Sequence, residues 1–152
     1  MAYDGMPVED ATDKQFSTLM GLKKAIDKLS DDRELAVADF LLRVQIFEFN
    51  LKYLWQHYGF KDNEKTIQKE YDQWTLGDII CVLEKHNDKY FSNLIPMCHL
   101  INKTRVDVIH HILDNKTDYD ELLDEVIAKR ATIDRAQQEM WNYLEWDKSF
   151  RI

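Results

Sequence analysis

The stretch RELAVADFLLRVQIFEFNLKYLWQHY, residues 33–58, decides the fold. Its apolar residues do not alternate; they return every three or four positions. One stripe runs through Val37, Leu41, Val44, Phe47, Leu51 and Leu54, and a second through Leu35, Ala38, Leu42, Ile46, Phe49 and Tyr53. That spacing puts each stripe along one side of an α-helix. Two adjacent stripes need apolar partners on two sides, so this helix is predicted to stand at the centre of a bundle. Gly59 supplies its stop.

Towards the N-terminus, Thr12-Asp13-Lys14-Gln15 has the form of a capping box. Phe16, Leu19, Met20, Leu22, Ala25, Ile26 and Leu29 follow at helical spacing, and Ser30-Asp31-Asp32 separates this helix from the central one. Residues 1–11 are expected to form a flexible tail, and 12–152 a single helical-bundle domain. Beyond Gly59, residues 60–74 are polar with scattered aromatics and suit an exposed connection. Thr75-Leu76-Gly77-Asp78 opens a further helix that ends near Asn87-Asp88. Residues 89–101 are apolar again; Pro96 makes that helix short, kinked, or begun near the proline. Thr104-Arg105-Val106-Asp107 repeats the capping pattern, so a new helix is expected there with Thr104 as its N-cap. Asp114-Asn115-Lys116 interrupts, Thr117-Asp118-Tyr119-Asp120 caps the last helix, and Leu122, Leu123, Val126, Ile127, Ile133, Ala136, Met140 and Leu144 carry it to about Trp146. With four glycines and two prolines to make turns, strands are disfavoured. The expected fold is an all-α bundle of five or six helices.

Composition narrows the function classes. The chain has 152 residues, with 20 basic and 28 acidic side chains and a net charge of −8. Such a balance opposes broad attraction to nucleic acid but leaves room for a small cationic site. Cys81 and Cys98 form neither a disulfide framework nor a metal-binding pair motif, which suits a reducing cytoplasm. No signal-like segment and no apolar run of membrane-spanning length is evident, so a cytoplasmic protein with no membrane partner is expected.

Chemistry concentrates in LINKTRVDVIHH, residues 100–111. Arg105 and His110 stand in an R-x4-H spacing, with His111 as the alternative histidine. An arginine in the first turn of a helix would join unpaired backbone amides in holding a phosphate. A histidine is suited to moving protons near neutral pH. Together they meet the needs of metal-independent RNA cleavage: deprotonating a 2′-hydroxyl or protonating the leaving oxygen, and neutralising charge on phosphate oxygens. On a regular helix, however, the two side chains diverge by about 140°, a constraint that a site shared between two chains would relax.

The same residues also suit a structural role. Thr104 and Asp107 would cap a helix, Arg105 would pair with an acidic neighbour, and His110 or His111 would hydrogen-bond Asp107. Val108, Ile109 and Ile112 would be core anchors. Asp107-x-x-His110 has the form of half a helical di-metal site, but the second acid-histidine pair is missing, so neither a metal nor a cofactor is expected. Trp55 and Trp141 are assigned to the core; Trp74 and Trp146, at element ends, suit a surface or interface. His57 and His86 read as helix-terminal residues, and Lys129-Arg130 as part of a solvated face.

This block resembles the HEPN family of small helical bundles. Its hallmark is an arginine followed, four to six positions on, by a histidine near the start of a late helix. TLGDIICVLEKH, residues 75–86, resembles the helix opening that often precedes it, and the likeness runs from about Thr75 to Trp146. The resemblance implies a four- or five-helix bundle that dimerises through the motif, and in many members a metal-independent endoribonuclease of toxin or phage-defence type. Carried over by position, Arg105 is the motif arginine and His110 the motif histidine, with His111 and Asp107 orienting the site. An RNA substrate, a homodimer partner and an antitoxin or other protein partner come with that reading. The family usually has Asn, Asp or His after the arginine; here Val106 stands there and the polar Asp107 comes one place later. Non-catalytic members act as interaction or regulatory modules that bind a protein or a nucleotide, and this is the alternative function.

Overall fold

A computed structural model describes residues 13–57, 73–87, 91–111 and 118–150. Among these residues five α-helices follow one another: α1 (Asp13–Leu29), α2 (Ala36–His57), α3 (Leu76–Asn87), α4 (Ile95–His111) and α5 (Tyr119–Phe150). No strand occurs among the described residues, so the chain is an all-α bundle. Among them no helix is long and apolar enough to cross a membrane. The expected caps at Thr12 and Thr117, the stop at Gly59, and residues 60–72 of the connection lie outside the described residues.

The central position of α2 follows from its first apolar stripe. Val44, Phe47, Leu51 and Leu54 are buried and Val37 and Leu41 half-buried, while Phe40, which belongs to neither stripe, is also buried; α2 packs most extensively on α5 and then on α1. The second stripe is less covered than expected. Ile46 is enclosed, Leu42, Phe49 and Tyr53 are half-buried, and Leu35 and Ala38 are exposed. Those last two lie at the connected end of the α1–α2 hairpin, beside the turn that follows α1. A short 3-10 turn, Arg33–Leu35, makes the connection, and the Asp32 carboxylate caps it by accepting from the Glu34 amide at 3.0 Å.

Trp74 departs from its expected surface position. It is 2% exposed, and its ring lies 6.2 Å from that of Trp55 at an interplanar angle of 52°. Packing against a second indole just before α3 draws it into the core. The side chain of Trp146 lies outside the described residues.

The predicted new helix at Thr104 does not form, because α4 runs unbroken from Ile95 to His111. Leu94, Cys98, Ile101, Thr104 and Val108 are all buried. Their spacing carries one buried stripe through the supposed boundary. Thr104 therefore caps nothing; its hydroxyl donates to the Leu100 carbonyl, one turn back, at 2.9 Å. Pro96 stands in the first turn, where its missing amide costs no helical bond.

Polar groups are buried between the helices at two levels. Asp39 of α2 is fully buried. Arg43 Nε lies 3.2 Å and 3.0 Å from its two carboxylate oxygens, and Arg130 Nε from α5 lies 2.8 Å from Oδ2. Arg130 is thus a structural cation and not part of a solvated face. Further along, Asn50 Nδ2 donates to Gln137 Oε1 at 2.9 Å, while Gln137 Nε2 is buried with no partner among the described residues. Gln137→Leu alone is expected to cost about 1–3 kcal/mol by stranding Asn50. The double variant Asn50→Leu/Gln137→Leu removes both polar groups and is expected to recover most of that loss in urea unfolding.

Candidate functional site on helix α4

Helix α4 has one buried and one solvent-facing side. On the open side lie Pro96, His99, Leu100, Lys103, Val106, Ile109 and His110. The large apolar members are well exposed: Leu100 39%, Val106 38% and Ile109 53%. Ile109 is therefore not the core anchor its neighbours suggest, whereas Val108 is buried. On a helix, Val106 has Ile109 and His110 as neighbours at three- and four-residue spacing, so His110 stands beside the exposed Val106, with Ile109 on its far flank.

Two side-chain contacts frame this side. His99 meets Glu84 of α3, and Lys103 Nζ lies 2.8 Å from Asp107 Oδ2. The Asp107 carboxylate raises the Lys103 ammonium above its usual range, chiefly through that hydrogen bond. Asp107 is thus engaged by the residue one turn before it.

Arg105 faces elsewhere. It is half-buried, and its Nη2 donates to Asn102 Oδ1 at 3.1 Å. Its Nε is enclosed without a hydrogen-bond partner, and no carboxylate pairs with it among the described residues. The expected placement of Arg105 in a helix's first turn is corrected: it lies in the second half of α4, where backbone amides are already used by the helix. The nearby helix start is that of α3. A Cβ on Gly77 would sit 3.6 Å from Asn102 Nδ2. There Thr75 and Asp78 form the predicted capping box, with Thr75 N donating to Asp78 Oδ2 at 2.9 Å and Asp78 N donating to Thr75 Oγ1 at 3.3 Å.

Arg105 and His110 are consequently not brought together within one chain. The helix between them is continuous, so the divergence of about 140° stands. His111 lies in the last turn, its side chain outside the described residues; the same holds for the side chains of His57 and His86. Asn102 and Lys103 are the residues sequence reading missed. Their signals were the Asn102–Arg105 and Lys103–Asp107 spacings, which place each pair on one helix face.

Among the described residues no group of three or more His, Cys, Asp or Glu is arranged to hold a metal. Cys98 is buried, and desolvation pushes its thiol well above the ordinary range, which removes it as a thiolate nucleophile or ligand at neutral pH. Comparisons with protein-family models, with curated proteins and with solved structures give no match.

Proposed function

We propose that the chain is a HEPN-like protein that pairs with a second copy through the open side of α4 and cleaves RNA without a metal at a site shared between the two copies. The observation that carries this reading is the exposure of His110 beside Val106, with Ile109 exposed on the other flank of Val106. A proton-transfer residue on a partly apolar, unpaired helix face suits an interface whose rim holds substrate. The divergence of Arg105 and His110 points the same way, since each would need its complement from the other chain. In this role His110 moves the proton of the 2′-hydroxyl, Arg105 holds the phosphate, and Asp107 with His111 orients the site. Val106, in place of the usual polar residue, adds apolar contact between copies.

Pairing is tested by sedimentation. Wild-type chain is expected at twice its 18.2 kDa mass. Ile109→Arg, which places a charge on an already exposed position, is expected to sediment at the single-chain mass with its helical signal unchanged. Wild type that stays monomeric at all concentrations contradicts the reading.

One observation favours a second reading, a non-catalytic interaction module that binds a protein or nucleotide through the same side of α4. The Arg105 guanidinium is held by Asn102 of its own helix, as suits a structural arginine. RNA incubated with the paired chain in chelator distinguishes the two: cleavage supports the nuclease, and intact RNA supports the module.

A further inference from the structure

Besides His110, the open side of α4 carries His99, and His99 has a carboxylate beside it. Its Nε2 meets Glu84 Oε1 of α3. The two side chains are 55% and 40% exposed, so a substrate can reach the pair from solvent. An ionised carboxylate only accepts hydrogen bonds, so Nε2 carries a proton and Nδ1 is left to give or take one. A histidine oriented by a third group in this way is suited to proton transfer.

His99 also shares a stripe with His110. At 100° per residue, His99, Lys103, Val106 and His110 fall within an arc of about 60° on α4, and all four are exposed. The stripe is self-complementary. Turned end for end, it puts His110 where His99 stood and Val106 where Lys103 stood. Two copies of α4 packed antiparallel at a shallow crossing of about 20°, centred between Lys103 and Val106, would set His99 of each chain opposite the partner's His110. One twofold axis would make two such pairs, about 16 Å apart along the helices. Each Lys103 would come level with the partner's Asp107 on the same flank, which offsets the approach of two lysines near the centre.

We propose that His99, held by Glu84, is the second proton-transfer residue of the RNA site and acts opposite the partner's His110. The proposal rests on the paired-nuclease reading above and supplies the acid for its leaving group. The partner's His110 takes the proton of the ribose 2′-hydroxyl, whose oxygen attacks the adjacent phosphorus. The bond from phosphorus to the 5′-oxygen breaks. Doubly protonated His99 gives its Nδ1 proton to that oxygen, while Nε2 stays on Glu84. The products are a 2′,3′-cyclic phosphate and a 5′-hydroxyl. Glu84 is a positioning residue, acting through His99.

Two experiments on the full chain test it. In the first, His99→Cys and His110→Cys chains, each also carrying Cys81→Ser, are refolded together and treated with a bis-maleimide too short to span about 16 Å. Cys98 is buried. Cross-linked dimer is expected from the mixture and not from either variant alone, whose introduced cysteines stand at opposite ends of the pair. In the second, cleavage is followed in chelator. His99→Ala, at an exposed position, is expected to lower it by about 10²–10⁴-fold. The same variant is expected to regain most of the loss on RNA whose 5′-bridging oxygen is replaced by sulfur, because a thiolate leaves without needing a proton; His110→Ala is expected to regain none. Glu84→Gln is expected to lower kcat by about tenfold with KM unchanged. A monomeric or inactive wild type overturns the paired-nuclease reading and this proposal with it. A paired, active wild type that gives no cross-link in the mixture, or whose His99→Ala variant cleaves like wild type or gains nothing from sulfur, overturns this proposal alone.

Discussion

Asp39→Ala is expected to destabilise the bundle by about 3–5 kcal/mol, because it removes one partner of a buried ion cluster and leaves the others uncompensated. The Asp39 side chain is fully enclosed, while those of Arg43 and Arg130 are 13% and 20% exposed. The carboxylate takes Arg43 on both oxygens at 3.2 Å and 3.0 Å and Arg130 at 2.8 Å. The Ser30 hydroxyl donates to the Ile26 carbonyl at 2.6 Å and accepts from Arg43 Nη2 at 3.1 Å, which places it 3.3 Å from the same carboxylate. Arg130 Nη1 donates to the Ser30 carbonyl at 3.1 Å, so the end of α1 is held to α5 through the same cluster. Without Asp39, two guanidinium groups face each other between α2 and α5 with Asp134, 3.5 Å from Arg43, as a half-exposed substitute. Replacing the group as a unit, Asp39→Leu with Arg43→Met and Arg130→Met, is expected to restore most of the stability, since apolar packing avoids the desolvation of all three charges. Urea unfolding followed by circular dichroism checks both. A loss below about 1 kcal/mol for Asp39→Ala would place the cluster among surface pairs.

Alanine at His110 and at Arg105 is expected to separate activity from stability. If the proposed site is catalytic, each substitution lowers RNA cleavage by about 10²–10⁴-fold, the usual contribution of a positioned acid–base or phosphate-holding group. The structural costs differ. His110 is exposed, so its removal should change unfolding free energy by no more than about 0.5 kcal/mol. Arg105 is half-buried and bonded to Asn102, so its removal should cost about 1 kcal/mol. Cleavage rates in chelator, measured beside the unfolding curves, check the pattern. Variants that cleave like wild type would leave Arg105 and His110 as parts of a helix and nothing more.

Much of the scaffold was legible from local spacing. The stripe from Val44 to Leu54 announced α2, the Thr75–Asp78 pattern announced the start of α3, and a start near Pro96 was one of three readings of the proline in α4. Each is a short-range signal with its cause in neighbouring residues. Thr104 shows where such signals fail. A threonine three positions before an aspartate has the same sequence form at a helix start and inside a helix. The choice was made by the buried stripe from Leu94 to Val108, which depends on α4 packing against α3, α5 and α2.

Asp39 fails for a related reason. Its neighbour Arg43 lies one turn away, but Arg130 comes from the far end of the chain, and only the packing of α5 on α2 brings it in. At the candidate site, the residue types and the divergence of Arg105 from His110 could be read in advance. The exposure of Val106 and Ile109 could not, because apolar residues in a helix announce burial without naming what covers them.

The most direct measurement mixes two inactive chains. Arg105→Ala and His110→Ala variants are unfolded together, refolded as a mixture and assayed for RNA cleavage in chelator. In a twofold-symmetric pair whose sites each take Arg105 from one chain and His110 from the other, every mixed dimer regains one intact site, so random pairing restores about a quarter of wild-type activity. Cleavage at that level is the predicted result. A mixture no more active than either variant alone, beside an active wild type, would contradict a site shared between chains, and an inactive wild type would contradict the nuclease itself.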